Sequence, residues 1–206
     1  PNNRYSELWM KVKDEKPVLF CFKDRMRSDA HDVVQWFIRR KMKVILLSGD
    51  RKDVVEEAAE ELGLSHFKHS CKPQDKIETI ERMKENGDKI LMVGDGLNDA
   101  PALSAAHVSI SPSTAAEVSQ NAADFIFQSQ KLESIVRAYQ ISVQSRKLVF
   151  SNFALAAIYN VVAVPFAAAG MLTPLIAAIA MSLSSIVVTS NALRLNFEKL
   201  YSSNNA

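Results

Sequence analysis

Short apolar runs alternate with amphipathic stretches along the first two-thirds of the chain. The apolar runs predict strands over residues 44–47, 90–93, 108–110 and 124–127, and a further short strand is predicted over residues 67–71. Between them, apolar positions at helical spacing predict helices over residues 29–41, 53–62 and 73–86. Ser28 or Asp29 can cap the first of these helices. Strands that alternate with helices are typical of βαβ units. We therefore expect an α/β domain with a parallel sheet and helices on both of its faces.

The segments on either side of this region have different patterns. Residues 8–12 and 18–22 flank a polar turn and predict a β-hairpin. Residues 131–147 have one apolar face and predict an amphipathic helix that connects the α/β region to the apolar end of the chain. No internal repeat is visible.

The last third of the chain is apolar. From Leu148 to Leu193 there is no Asp, Glu, Lys or Arg, which is enough for two membrane spans of about 20 residues each. We predict spans over residues 148–170 and 173–195, joined by a turn at Gly170. Arg146 and Arg194 flank the pair on one side, so the soluble part is expected to be cytoplasmic. A lipid bilayer is then a partner, and no signal peptide is expected.

Charge and cysteine content narrow the alternatives. The 206 residues carry a formal net charge of +2, which does not favour a nucleic-acid partner. Cys21 and Cys71 are far apart and are expected to be free thiols in a reducing compartment.

The candidate chemistry is concentrated in residues 89–103, KILMVGDGLNDAPAL. A strand predicted over residues 90–93 ends at a glycine turn, and Asn98 or Asp99 can cap the short helix that follows. Asp95 and Asp99 would then lie at the carboxyl end of a parallel strand, where open α/β sheets bind ligands. Two carboxylates at this spacing suit Mg²⁺, which keeps water and phosphate oxygens among its ligands.

Two other sites are expected at the same edge. Ser48, Gly49 and Asp50 follow the strand over residues 44–47, and a hydroxyl with backbone N–H groups can bind phosphate oxygens there. The same triplet is also an ordinary helix-capping signal. Lys76 falls in the first turn of a predicted helix, where it opposes the helix dipole. It either faces an anion or is a solvated surface lysine.

The string GDGLNDAPAL resembles the hinge signature of P-type ATPases at every fixed position. Residues 24–29 resemble the D-x-x-R-x-D re-entry of that family, SGD stands where TGD is usual, and Pro73 with Lys76 matches P-x-x-K. The resemblance implies a partial haloacid-dehalogenase-like phosphorylation domain with ATP as substrate. The implied Mg²⁺ ligands are Asp95 and Asp99, and Ser48 and Lys76 complete the catalytic set. The implied phosphate-binding residues are Gly49, Asp50, Gly94, Gly96 and Asn98.

The same resemblance implies a division of the chain. Residues 1–22 would be a remnant of a nucleotide-binding domain, and residues 23–130 the phosphorylation domain. Residues 131–147 would be the connecting helix, followed by the two spans and a cytoplasmic tail over residues 196–206.

Polar groups and methionine stand near the middle of both spans. Tyr159 and Asn160 lie in the first, and Met181 and Ser185 lie one helical turn apart in the second. A thioether suits Cu(I), although such residues are also common packing elements in membrane helices. The pattern resembles the last two helices of copper-transporting P-type ATPases, which implies these four residues as Cu(I) ligands. The aspartate and lysine typical of zinc-transporting relatives are not present.

Residues 108–113 and 122–127 resemble the FixI-type branch of this family. That resemblance implies a multi-pass protein of the inner membrane, and it implies a copper chaperone and oxidase-assembly proteins as partners.

Several motifs of the family do not occur in this sequence. These are the DKTGT motif with the phosphorylated aspartate, the CPC motif of an earlier membrane helix and the TGE loop. By itself the chain is therefore expected neither to hydrolyse ATP nor to transport an ion, and the missing N-terminal part of the transporter is an expected partner. The strand that presents the nucleophile is lost, so its neighbours should be exposed. The alternatives are a non-catalytic membrane subunit and a truncated, membrane-tethered phosphatase-like protein, although the latter requires a DxDx[TV] aspartate that we do not find.

Overall fold

The computed structural model describes residues 6–13, 15–22, 25–95, 97–171 and 173–202. The chain forms two compact units, Pro1–Val136 and Arg137–Ala206. The first unit contains the strands and the short helices, and the second consists mainly of two long helices.

The first unit begins with the predicted hairpin. Strands β1 (Ser6–Met10) and β2 (Val18–Phe22) pair antiparallel, with Met10 opposite Val18. The side chain of Trp9 remains 60% exposed. An isolated two-stranded ribbon with exposed apolar side chains is only marginally stable.

The expected alternation of strands and helices comes next. The helices are α1 (Ala30–Arg39), α2 (Lys52–Leu62), α3 (Pro73–Glu85), α4 (Ala100–Ala105) and α5 (Glu117–Ala122). The strands are β3 (Leu46–Leu47), β4 (Phe67–Lys68), β5 (Leu91–Val93), β6 (Val108–Pro112) and β7 (Phe125–Phe127). A short 3₁₀ turn, Leu97–Asp99, precedes α4.

The strands are parallel, but they do not form one sheet in the described part of the chain. β3 pairs with β4, and β5, β6 and β7 pair in that order. The expectation of a single sheet is therefore wrong for this chain. β3 and β5 each pair with one described strand, as expected if the strand that presents the nucleophile is absent from between them. This pairing also fits the short length of β3, since a strand paired on one side only has half of its possible ladder bonds.

The core of the first unit lies between helices and strands. α4 contacts both α3 and α5, and its residues Ala102 and Leu103 are almost completely buried. Val55 and Ala59 of α2 and Ile80 of α3 are equally buried. Because α4 packs on α3, the turn that precedes α4 lies beside the first turn of α3.

One predicted helix cap is replaced by a longer-range contact. Asp29 occupies the N-cap position of α1, but its side chain makes no capping bond to that helix. Its Oδ2 instead accepts a hydrogen bond from the backbone N–H of Glu133 at 2.9 Å. The expectation that Asp29 caps α1 through its side chain is therefore wrong, because the carboxylate is used elsewhere.

The second unit is built from two long helices. Helix α6 spans Glu133–Ala168, so the predicted connecting helix and first span are one continuous helix, with Pro165 inside it. Helix α7 spans Pro174–Ser202 and continues into the segment expected to be a tail. Both contain segments long and apolar enough to cross a membrane, in Glu133–Ala168 and Pro174–Leu193. The remaining tail residues, 203–206, lie outside the described residues.

A polar contact joins α6 and α7. Asn191 Nδ2 donates to Asn152 Oδ1 at 2.8 Å and to Ser151 Oγ at 3.3 Å. Half-buried residues recur at helical spacing on each helix, a pattern typical of a face that packs against a neighbouring helix. On α6 these are Asn152, Ala156, Tyr159 and Ala163, and on α7 they are Asn191, Val188, Ser184 and Ala180. Counting turns from the Asn152–Asn191 contact puts Tyr159 level with Ser184.

Candidate active site

A cavity of about 320 Å³ opens at the carboxyl ends of β3 and β5. Its walls include Ser48 after β3, Asp95 after β5, Asp99 before α4 and Lys76 from α3. The structure thus brings together the four residues expected to form the catalytic set. The carboxyl ends of parallel strands are where α/β folds bind their ligands.

Lys76 and Asp99 form a buried ion pair in this cavity. Lys76 Nζ lies 2.6 Å from Asp99 Oδ1, and the two side chains are only 10% and 13% exposed. Lys76 is presented by the first turn of α3, which begins at Pro73. The alternative that Lys76 is a solvated surface lysine is therefore wrong.

Gly94 allows this arrangement. A Cβ atom at Gly94 would lie 2.8 Å from the Cβ of Asp99 and 3.1 Å from its Oδ2. A larger residue would therefore push Asp99 away from the end of β5. Asn98 is exposed on the turn before α4, and Gly96 lies outside the described residues.

The Ser48–Asp50 triplet forms a closed turn after β3. Ser48 Oγ donates to Asp50 Oδ2 at 2.8 Å and accepts from the backbone N–H of Asp50 at 3.1 Å. Cys71 donates its N–H to the carbonyl oxygen of Ser48 at 2.9 Å, and a Cβ atom at Gly49 would lie 3.4 Å from the carbonyl oxygen of Cys71. Within this turn Ser48 is the residue that lines the cavity.

The donor groups in the cavity fit a magnesium ion. Asp95 is exposed at the end of β5 and offers a carboxylate to the cavity. In the described residues no group of three or more His, Cys, Asp or Glu side chains comes together. Mg²⁺ does not need such a group, because it is commonly held by one or two carboxylates with water and phosphate. Asp95 could hold the ion directly, whereas Oδ1 of Asp99 is already engaged by Lys76.

The four candidate metal ligands of the second unit are less enclosed. Tyr159 is half-buried on α6, and Asn160 beside it is exposed. Met181 is 72% exposed, and Ser185 is exposed one turn further along α7. By the count of turns from the Asn152–Asn191 contact, Ser184 is the α7 residue level with Tyr159. The pair α6–α7 therefore covers Tyr159 more fully than the other three residues.

Known proteins with similar sequences point to one family. The family described as haloacid dehalogenase-like hydrolase matches residues 8–107. Over 192 residues the chain is 43% identical to the nitrogen fixation protein FixI of Rhizobium leguminosarum bv. viciae, covering 93% of this chain and 25% of that protein. It is 36% identical to the probable copper-exporting P-type ATPase V of Mycobacterium tuberculosis, covering 84% of this chain and 22% of that protein.

The chain is a homologue of the heavy-metal P-type ATPases. A solved structure agrees: a zinc-transporting PIB-type ATPase in the E2.Pi state superposes with a TM-score of 0.79 at 28% identity, covering 86% of this chain and 29% of that one. The homologue spans about a quarter of the length of the curated relatives that it matches. The recognition of the family and the haloacid-dehalogenase-like fold with two apolar helices are thereby confirmed.

Sequence reasoning gave no role to two polar contacts in this P-type ATPase homologue. Arg27 lines the cavity and donates from Nη1 to the carbonyl oxygen of Gln130 at 2.6 Å. The other is the contact between Asn191 and Asn152. A D-x-x-R-x-D match at residues 24–29 drew attention to Arg27, but only the fold shows that its partner lies more than 100 positions away.

Proposed function

We propose that this chain is part of an ATP-driven exporter of heavy-metal ions, and that the exported ion is Cu(I). In this proposal the first unit carries the magnesium and phosphate site, and α6 and α7 are membrane helices. The observation that carries the proposal is the convergence of Ser48, Lys76, Asp95 and Asp99 on one cavity.

The cavity has the groups needed to handle a phosphorylated side chain. Asp95 would hold Mg²⁺, which supplies positive charge that neutralises phosphate oxygens. Ser48 would donate a hydrogen bond to a phosphate oxygen, and the ammonium group of Lys76 would contact another. Asp99 would orient Lys76 through their ion pair, and Gly94 would let Asp99 approach.

The phosphorylated aspartate would come from outside this sequence. β3 and β5 each pair with one described strand, and the residues at their carboxyl ends line the same cavity. A strand paired with both would present its own carboxyl end to Ser48, Lys76 and Asp95. ATP would be the phosphoryl donor, bound mainly by parts of the protein that this chain does not contain.

Copper is favoured by the chemistry of α6 and α7. The segment from Leu148 to Leu193 has no acidic side chain, and a hard divalent ion would therefore find no charged ligand there. A soft monovalent ion needs less compensating charge, and Met181 offers it a sulfur ligand. Ser185, Tyr159 and Asn160 are the other proposed ligands, with cysteines of an earlier helix completing the site.

The proposal extends to location and partners. Positively charged flanks at Arg146 and Arg194 favour an inner-membrane protein with its soluble unit in the cytoplasm. A copper chaperone and oxidase-assembly proteins are the proposed partners, as the resemblance of residues 108–113 and 122–127 to the FixI-type branch implies. An alternative function is a non-catalytic membrane subunit that binds a separate N-terminal half. The incompletely paired β3 and β5 would suit it equally well.

Two experiments test the proposal. The coding sequence directly upstream should contain DKTGT in the same reading frame, whereas a stop codon there would favour the separate-subunit alternative. In the full-length protein, Cu(I) or Ag(I) should stimulate ATP hydrolysis. Stimulation by Zn(II) alone would contradict the copper assignment.

A further inference from the structure

Two side chains from residues 25–29 hold the segment that begins α6. Arg27 Nη1 donates to the carbonyl oxygen of Gln130 at 2.6 Å. Asp29 Oδ2 accepts from the backbone N–H of Glu133 at 2.9 Å. The partners are 103 and 104 positions apart in sequence, so these are contacts of the fold and not of a local turn.

Asp29 acts as a helix cap supplied from a distance. The residue before α6 is Leu132, whose side chain cannot accept a hydrogen bond, so the first N–H groups of α6 need an acceptor from elsewhere. A carboxylate at this position also interacts favourably with the positive end of the helix dipole. Asp29 makes no side-chain cap bond to its own helix, α1. The carboxylate is therefore directed to α6.

The second oxygen of Asp29 shows how closely this group is enclosed. Asp29 Oδ1 is buried and has no hydrogen-bond partner among the described residues. Buried polar atoms without a partner are uncommon and costly in folded proteins. The fold accepts this cost while keeping the carboxylate on the first turn of α6.

Arg27 connects the same segment with the candidate phosphate site. Its side chain lines the cavity that contains Ser48, Lys76 and Asp95, and Leu132 lines that cavity too. A guanidinium group has five N–H donors, so one side chain can contact both a backbone carbonyl and an anion. Arg27 therefore belongs to the cavity wall and also binds the segment that leads into α6.

We infer that Arg27 and Asp29 form a latch that fixes the first turn of α6 to the wall of the phosphate cavity. Through it, a change of ligand in the cavity alters the constraint on a helix that continues unbroken to Ala168. Both are positioning residues, which couple the site to the helix without taking part in the chemistry. The transport consequence rests on the proposed function, whereas the latch itself does not.

The first test measures the latch without any metal or nucleotide. Amide hydrogen exchange of the peptide that contains Glu133 is compared in full-length wild-type protein, Asp29→Ala and Asp29→Asn. Loss of the cap should speed exchange about fivefold in Asp29→Ala. Asp29→Asn keeps an acceptor and loses only the charge, so about twofold faster exchange is expected.

The control for this test is Asp32→Ala. Asp32 lies three residues further on, and its side chain is 89% exposed. It should leave the exchange of the Glu133 peptide unchanged. If Asp29→Ala does not fold, Asp29→Asn decides the matter, and wild-type exchange in every folded Asp29 variant would overturn the latch.

The second test asks whether the latch couples the two activities. In vesicles that contain the full-length protein, Asp29→Ala should reduce the Cu(I) transported per ATP hydrolysed by about fivefold. Metal-dependent phosphorylation should stay near the wild-type level. A parallel loss of phosphorylation and transport, or an unchanged ratio, would show that Asp29 has only a structural role. If wild-type protein does not respond to Cu(I), the proposed function fails, while the exchange test still decides the latch.

Discussion

Lys76 Nζ and Asp99 Oδ1 lie 2.6 Å apart in a part of the molecule that solvent scarcely reaches. The lysine comes from the first turn of α3 and the aspartate from the turn before α4, so the pair joins two elements that pack on each other. A buried ion pair contributes little net stability as a whole. Removing one partner is different, because the other charge then remains buried and uncompensated.

Removing the carboxylate of Asp99 should therefore destabilise the first unit strongly. We expect Asp99→Ala to cost about 3–5 kcal/mol in the free energy of unfolding, measured by chemical denaturation. The control is Glu56→Ala, which breaks an exposed pair with Lys52 at 3.4 Å and should cost no more than about 1 kcal/mol. Equal costs for the two variants would contradict the buried character of the Lys76–Asp99 pair.

Asp95 has a different expected role, which is tested by phosphorylation. In the full-length protein, Asp95→Asn should abolish the metal-dependent phosphoenzyme, because an amide is a weaker Mg²⁺ ligand than a carboxylate. Acid-stable incorporation of phosphate from ATP measures this. Asp88→Asn, on an exposed loop before β5, should phosphorylate like the wild type. The 206-residue chain alone should form no phosphoenzyme, and wild-type levels in Asp95→Asn would refute the assignment.

Much of this site could be predicted from the sequence because its chemistry is local. Ser48, Lys76 and Asp95 each follow a strand or open a helix, and the order of the strands alone brings such positions to one edge. The ion pair of Lys76 with Asp99 was not predictable in the same way. It depends on the packing of α4 on α3 and on the space left by Gly94. The periodicity of apolar positions along the sequence reveals neither of these.

The partners of distant side chains were also beyond sequence reasoning. Asp29 has the spacing of a cap for α1, and the pattern predicts that role, but the carboxylate binds Glu133 more than 100 positions away. Asn191 likewise lies in an apolar helix, and nothing in the sequence around it indicates that Asn152 is its hydrogen-bond partner. The predicted strands over residues 44–47 and 67–71 are longer than β3 and β4. A sequence pattern indicates which residues are buried, but a strand extends only as far as a neighbouring strand provides hydrogen bonds.

The lowered pKa of His107 should make the stability of the first unit depend on pH. Desolvation first, and then the positive charges of Lys89 and Lys84, lower its pKa below the ordinary value of 6.5. The folded state therefore favours the neutral imidazole, whose Nδ1 accepts the N–H of Ile90 at 3.3 Å. This contribution is fully present above the ordinary pKa and is lost as the pH falls toward the lowered value.

When the pH is lowered from about 7.5 to 5.5, we expect the midpoint temperature of unfolding to decrease. The decrease should be smaller in His107→Gln. Lys89→Met should raise the pKa of His107, which the chemical shifts of the imidazole protons measure by NMR. An unchanged pKa in Lys89→Met would show that the neighbouring charge has no influence.

Asn191 should fix the alignment of α6 with α7. Hydrogen bonds between membrane helices contribute about 1 kcal/mol, and this one sets which residues face each other. A disulfide between Ala163→Cys and Ala180→Cys should form readily, because both are half-buried and lie about three turns from the Asn152–Asn191 contact. Adding Asn191→Leu should reduce its yield, whereas adding Ser190→Ala, at an exposed position, should not. Equal yields in the two backgrounds would mean that apolar packing alone sets the alignment.

Met181 is the residue by which the exported ion can be tested most directly. Its sulfur is a soft ligand in a segment without acidic side chains. The Met181 side chain is 72% exposed on α7, which leaves it accessible to ligands from other helices. Met181→Ala should lower Cu(I)-stimulated ATP hydrolysis of the full-length protein by about tenfold or more, since loss of a metal-site partner commonly costs that much affinity or activity. Met171→Ala is the matched control, because Met171 is also exposed, at 65%, but lies in the turn between the helices. If Cu(I) stimulates ATP hydrolysis equally in both variants, Met181 is not a ligand of the ion. If Zn(II) also stimulates hydrolysis, and neither variant alters that stimulation, copper is not the sole transported ion.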